Sequence, residues 1–168
     1  YFRMYKTIIQ MLHDRKYILD EDKQAIYDEE INFDGFQLLF ENFRPQDINC
    51  YCESEDPNVP RVLVRFDLID NKISPKHITT LLNQMKNENL THVIAIIKDG
   101  AISTGIARTI EKIRTETGRK IEFFEQKEVL INITKHDLVP LHQPLSPKEK
   151  KELLDRYKIN ESQLPKIL

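Results

Sequence analysis

The sequence has no tryptophan, only two cysteines and only four glycines among its 168 residues. Two cysteines cannot staple a disulfide framework, and so few glycines exclude a collagen-like repeat. No window approaches roughly eighteen apolar residues without a charge, so no stretch is long and apolar enough to cross a bilayer as a helix. The opening Tyr1–Lys6 lacks the charged-then-apolar order of a signal peptide. With two free thiols, this suits a reducing compartment, cytosol or nucleus. Net charge is scarce too, at −2. What the chain does have is a 40% hydrophobic share. That excludes a disordered chain and suffices for one domain, or one domain plus a smaller one.

The near-neutral total hides an asymmetry. Residues 1–60 carry 6 basic and 13 acidic side chains, a net −7, whereas residues 61–168 carry 19 and 14, a net +5. Such contrast suggests that one part faces an anion or an acidic partner.

Tyr1, Tyr5, Ile8, Ile9 and Leu12 recur at helical spacing and predict an opening helix closed by His13, Asp14 and Arg15. Asp20 is expected to cap a short acidic helix reaching about Glu30, and Asp34 a third. In that third helix Phe33, Phe36, Phe40 and Phe43 form an aromatic stripe. Arg44-Pro45-Gln46 breaks the pattern. Ile48, Cys50 and Cys52 then alternate with polar residues as in a half-buried strand, and Arg61 to Ile69 predicts its antiparallel partner. Ser74-Pro75 starts a helix with Ile78, Leu81, Leu82 and Met85 on one side, and Asn89 supplies a left-handed stop. Val93 to Ile97 is a continuous apolar run, the mark of a strand buried on both faces. Ile106, Ile110 and Ile113 mark a further helix ending at Gly118, and Lys120 to Phe124 a third buried-type strand. Strands alternating with helices at these lengths imply parallel crossovers. The fold class is therefore α/β: N-terminal helices plus a mixed-sheet α/β sandwich.

After Glu125 the style changes, with Pro140, Pro144 and Pro147 close together. A domain boundary is placed between 126 and 146, dividing the chain into 1–128 and 129–168. Ser146-Pro147-Lys148-Glu149 is a capping box opening a helix whose apolar side is Leu153, Leu154 and Tyr157. One helix and an apolar strip cannot bury a core of their own.

The chemistry-bearing residues give few catalytic options. Cys50 and Cys52 share one strand face, but zinc needs four ligands, no second Cys pair exists, and the five histidines are scattered. Neither a metal nor a cofactor is expected. Gly100 and Gly105 lack the Lys-Ser/Thr of a phosphate-binding loop, and Ser74 and Ser103 lack a nucleophile elbow. A metal-dependent nuclease is the best enzymatic alternative, with Asp47 opening one strand and Asp70-Asn71-Lys72 following the next. Against it, Asp70-Asn71-Lys72 stands where turn residues belong, ahead of a capped helix. The loop Lys98 to Gly105 is of more interest. It leads into a helix N-terminus, where free N–H groups favour an anion. Lys98, Gly100, Ser103, Thr104 and Arg108 are the candidate DNA-proximal residues. Residues 98–120 carry 6 basic and 3 acidic side chains, too few to hold DNA alone.

Two segments carry a resemblance. Glu128-Val129-Leu130-Ile131-Asn132-Ile133-Thr134-Lys135-His136-Asp137-Leu138-Val139-Pro140-Leu141-His142 resembles the "LLINIT-x-H-x-LVP-x-H" signature of the shared fifth subunit of eukaryotic nuclear RNA polymerases. Lys151-Glu152-Leu153-Leu154-Asp155-Arg156-Tyr157, followed by Glu161 to Ile167, is similar to the family's next block, "ELL-x-RY … E-x-QLP-R-I". The opening Lys6-Thr7-Ile8, with Met11 and Asp14-Arg15-Lys16-Tyr17, resembles "K-T-I-x-x-M-x-x-DRGY", Lys16 standing for its Gly. The resemblance spans the chain and is weakest from 20 to 60.

It implies a non-catalytic subunit common to polymerases I, II and III. The N-terminal domain would have a restriction-endonuclease-like fold without a nuclease site and form part of the jaw around downstream DNA. Its weak contacts with that duplex would be independent of sequence. The C-terminal part, related to an archaeal subunit, would dock on the largest subunit through Ile131, Asn132, His136, Leu138, Pro140, His142, Arg156, Tyr157, Gln163, Leu164 and Pro165. Further expected partners are the other polymerase subunits and general transcription factors, with no membrane. The expected location is the nucleus, or a cytoplasmic viral factory for a chain of large-DNA-virus origin. The family's "DP-x-A-R-Y" block is missing here, so 129–168 is expected to be the first half of an incomplete α+β assembly domain. The family's DNA-side "TPSA" loop corresponds to Ile102-Ser103-Thr104-Gly105, which lacks the proline but keeps the hydroxyls. A transcription-factor scaffold without DNA contact is the remaining alternative.

Overall fold

The structure is a computed structural model and describes residues 1–40, 44–56, 58, 59, 61–68, 72–100, 102–140 and 145–164. It divides into two compact units, Tyr1–Asn132 and Ile133–Leu168.

The first unit opens with α1 (Phe2–Asp14), whose Met4, Tyr5, Ile8, Ile9 and Leu12 are buried as the helical spacing requires. Lys16 leaves the helix with a positive φ of 65°. Next comes α2 (Glu21–Tyr27), capped by Asp20, whose Oδ1 accepts from the Lys23 N–H at 2.9 Å. The other carboxylate oxygen of Asp20 pairs with the Lys23 ammonium. This helix stops at Tyr27 rather than Glu30. The chain turns there through Glu29 at φ 63°, and the Glu30 N–H returns to the Ala25 carbonyl. In α3 (Phe33–Leu39) the cap is Asn32, not Asp34, because Asn32 Oδ1 takes the Gly35 N–H at 3.0 Å. Of the aromatic stripe, Phe36 is buried against Phe2 and Tyr5 while Phe33 stays exposed. Phe43 lies outside the described residues.

Ile48 does not belong to a strand. Pro45–Ile48 forms a 3-10 turn, closed by Asp47 accepting the Arg44 N–H at 2.8 Å. The first strand is only β1 (Cys50–Cys52), antiparallel to β2 (Val62–Leu68). Then follow α4 (Pro75–Asn87), β3 (His92–Ile97), α5 (Thr104–Thr117) and β4 (Lys120–Glu125). Asn89 and Gly118 take the left-handed conformation after their helices, at φ 51° and 67°. The sheet order is β1-β2-β3-β4, with β2, β3 and β4 parallel. The class is α/β with a mixed sheet.

Alternation along β3 separates two cores. Ile94 and Ile96 pack with α1, Ile26 and Phe36, while Val93, Ala95 and Ile97 pack with Ile78, Leu81 and Met85 of α4 and Ile106 of α5. All six residues of β3 are buried, as a central strand covered on both faces demands. By contrast, β4 is not a fully buried strand. It forms the sheet edge, and only its Ile121 is buried. Register places Lys120, Glu122 and Phe124 opposite His92, Ile94 and Ile96, hence on the α1 face.

In the second unit the described residues hold a 3-10 turn (Ile133–Lys135), α6 (Pro147–Tyr157), a second 3-10 turn (Glu161–Gln163) and no strand. Ser146 and Glu149 cap α6 reciprocally: the Glu149 N–H donates to Ser146 Oγ and the Ser146 N–H to Glu149 Oε2.

Candidate functional site

The loop after β3 brings the candidate DNA-proximal residues together at the carboxyl ends of the parallel strands. Gly100 turns the chain at φ 69°, and its N–H donates to Glu125 Oε1 at 2.9 Å. The Asp99 carboxylate accepts from the Lys127 N–H at 3.1 Å. The loop is thereby tied to the end of β4. Ser103 caps α5, its Oγ accepting from the Ile106 N–H. Thr104 and Arg108, four apart, share the exposed side of the helix opposite Ile106 and Ile110.

The charges sort by position. Further along α5 the cations are matched: Lys112 to Glu116 at 3.6 Å and Arg114 to Glu111 at 3.8 Å. The Glu125 carboxyl is held below its ordinary value by the Lys127 ammonium and then by the Gly100 N–H. Among the described residues, neither Lys98 nor Arg108 enters an ion pair, and both are exposed. Lys98 in the loop and Arg108 on α5 are thus cations outside these pairs, and Ser103 takes only the Ile106 N–H of the first turn. This arrangement can take phosphate oxygens without distinguishing bases.

The second candidate set is strung along 131–164. Ile131 is 61% exposed, Ile133 67% and Leu138 85%, with His136 and Pro140 also exposed. His136 Nδ1 accepts from the Leu138 N–H at 3.2 Å, closing a turn that presents Leu138. Asn132 behaves differently. Its side-chain amide donates to Gln10 Oε1 at 2.9 Å, on α1. On α6, Tyr157 is exposed with the Arg156 guanidinium over its ring at 5.6 Å. Gln163 closes its own turn by accepting from the Asn160 N–H at 2.8 Å, and Leu164 is half-buried. His142 and Pro165 lie outside the described residues.

The nuclease candidates do not converge among the described residues. Both Asp47 oxygens are engaged by Arg44, at 2.8 Å from its N–H and 3.0 Å from its guanidinium. Asp70 and Asn71 lie outside the described residues. Cys50 and Cys52 are free thiols, and their shared hydrogen bond, then burial, pushes the Cys50 thiol up. No group of three metal-ligating side chains occurs among the described residues.

At the opposite end of the strands lies a polar cluster that sequence patterning did not assemble. Tyr17 Oη and His92 Nδ1 are 3.1 Å apart, and His92 Nε2 meets Glu122 Oε2 at 2.9 Å. Arg15 donates to the same oxygen at 2.6 Å, and Lys120 pairs with Glu122 Oε1 at 2.6 Å. Burial alone would raise the Glu122 carboxyl, but the bonds from His92, Lys120 and Arg15 hold it far below the usual carboxylate range. In sequence, Arg15 and Tyr17 stand out only within the Asp14-Arg15-Lys16-Tyr17 motif. Nothing local links them to residues a hundred positions away.

Comparison with known proteins assigns this arrangement to a class of transcription-machinery subunits. Residues 1–85 match the family described as RNA polymerase Rpb5, N-terminal domain, and residues 131–168 match RNA polymerase Rpb5, C-terminal domain. The chain is 31% identical over 170 residues to "DNA-directed RNA polymerases I, II, and III subunit RPABC1" of Caenorhabditis elegans, covering 99% of this chain and 77% of that protein. It is 32% identical over 162 residues to the Dictyostelium discoideum protein "DNA-directed RNA polymerases I, II, and III subunit rpabc1", covering 96% and 76%. It is also 31% identical over 180 residues to "DNA-directed RNA polymerases IV and V subunit 5B" of Arabidopsis thaliana, covering 99% and 72%. The chain belongs to the RNA polymerase Rpb5 family.

Proposed function

We propose that the chain is a non-catalytic structural subunit of a nuclear DNA-directed RNA polymerase, bound to the other subunits of that enzyme. The observation that carries this reading is the exposure of Ile133 and Leu138 in the second unit, which also holds a helix with no buried residue. Exposed apolar patches mark interaction surfaces. These side chains, with Tyr157 and Leu164, dock on the largest subunit. The relatives named as polymerase subunits support this assignment.

The first unit contributes a jaw surface along downstream duplex DNA. Lys98, Ser103, Thr104 and Arg108 face phosphates there, and two free cations suffice because the assembly supplies the remaining affinity. The acidic first sixty residues offer a surface to general transcription factors. Asp47, already neutralised by Arg44, supports a positional rather than a catalytic role.

The test is purification through a tag on this chain from nuclear extract. The expected product is a large polymerase assembly containing the chain. Recovery as a lone protein that cleaves DNA with Mg²⁺ would overturn the reading.

A further inference from the structure

The amino-terminal ends of β3 and β4 border a cavity of about 340 Å³, its wall including Arg15, Tyr17, Val59, His92, Gly118 and Lys120. It lies at the far end of the strands from the Lys98–Arg108 loop, roughly 20 Å away for a six-residue strand. Among the described residues the lining holds two cations, Arg15 and Lys120, and no acidic side chain. Glu122 pairs with both, so its single negative charge offsets one of the two positive ones. The balance of one positive charge suits a single monoanion better than a phosphate dianion or a duplex.

Arg15 is built for such a contact. One of its N–H groups is taken by Glu122, and its guanidinium lies 6.0 Å from the Phe124 ring centroid. The bond and the ring hold its plane while leaving further donors of the five-donor fork. The Lys120 side chain is 47% exposed and the Arg15 side chain 34%, so both are reachable. Val59, 41% exposed, adds an apolar wall of the kind a peptide side chain packs on. Catalysis is disfavoured, because burial raises the Tyr17 hydroxyl rather than activating it.

We propose that this cavity receives an aspartate or glutamate carboxylate from a neighbouring polymerase subunit, seated between Arg15 and Lys120. The proposal rests on the reading of the chain as an assembled subunit. It adds a docking point on the first unit to the exposed Ile133 and Leu138 of the second.

The experiment is zero-length carbodiimide coupling of the polymerase purified through the tagged full chain, followed by peptide mass spectrometry. The expected product is an amide joining Lys120 Nζ to a carboxylate of another subunit. Lys120→Gln abolishes it. Arg15→Gln lowers its yield roughly fivefold, as loss of one charge partner implies. Thermal melts of both variants show that the chain still folds. Coupling of Lys120 only to its own Glu122, or none at all, overturns the proposal while the co-purified assembly still stands. Failure to co-purify sinks the subunit reading, and this proposal with it.

Discussion

Arg15, the residue that ends α1, and Glu122, on the edge strand β4, meet at 2.6 Å although 107 residues separate them. The contact pins the carboxyl end of the first helix to the sheet. A cation at a helix C-terminus is itself favourable, so Arg15 answers both the helix dipole and the carboxylate.

Glu122→Gln replaces the carboxylate shared by Arg15, Lys120 and His92 with a neutral amide, and should cost about 2 kcal/mol at neutral pH, a partly buried network losing its charged centre. In the folded chain this carboxyl lies far below its ordinary 4.5. Its stabilisation is therefore complete above 4.5 and fades as pH falls below that value toward the folded one. Urea unfolding followed from neutral to acid pH should slope less steeply for the variant. Parallel curves would show that the network contributes nothing.

Two glycines should respond with opposite sign to alanine. Gly118, at φ 67°, has open space around it, so Gly118→Ala carries backbone strain alone and should destabilise by about 1 kcal/mol. Gly105 lies in α5, where an added Cβ would meet only Ser103 Oγ at 3.9 Å. Gly105→Ala should stabilise by about 0.5 kcal/mol, by narrowing the unfolded ensemble. Chemical denaturation midpoints of the two variants decide the matter.

Leu138→Glu combined with Ile133→Glu should leave the melting curve within about 0.5 kcal/mol of the parent, because both side chains are already exposed. Incorporation into the polymerase should fall, since the second unit would lose these apolar side chains. Equal recovery of parent and variant in tagged assemblies would remove the docking role.

Charge reversal at Lys98 and Arg108 in the assembled enzyme should weaken its hold on downstream DNA without altering sequence preference. The slope of log affinity against log salt should shrink by about 1 for each lost phosphate contact. An unchanged slope would take these residues off the DNA path.

Much of the fold follows from local rules that act within one turn or one strand. Asp20, Ser103 and Ser146 cap helices because a short side-chain oxygen reaches an N–H two or three residues on. Ile94 and its neighbours announce a strand covered on both faces because nothing in Val93–Ile97 could face water. The 131–157 block, too, is legible as a linear motif. Local pattern departs from the structure where a neighbouring side chain takes the backbone group. Asn32 rather than Asp34 caps α3, and Pro45 with Asp47 tightens a turn where alternation predicts a strand at Ile48. Only tertiary structure decided that β4 is an edge, and that Arg15, Tyr17, His92, Lys120 and Glu122 form one cluster. Parallel crossovers bring the starts of β3 and β4 to the end of α1, and pairing at that distance is set by strand order and register, which no spacing in the sequence encodes.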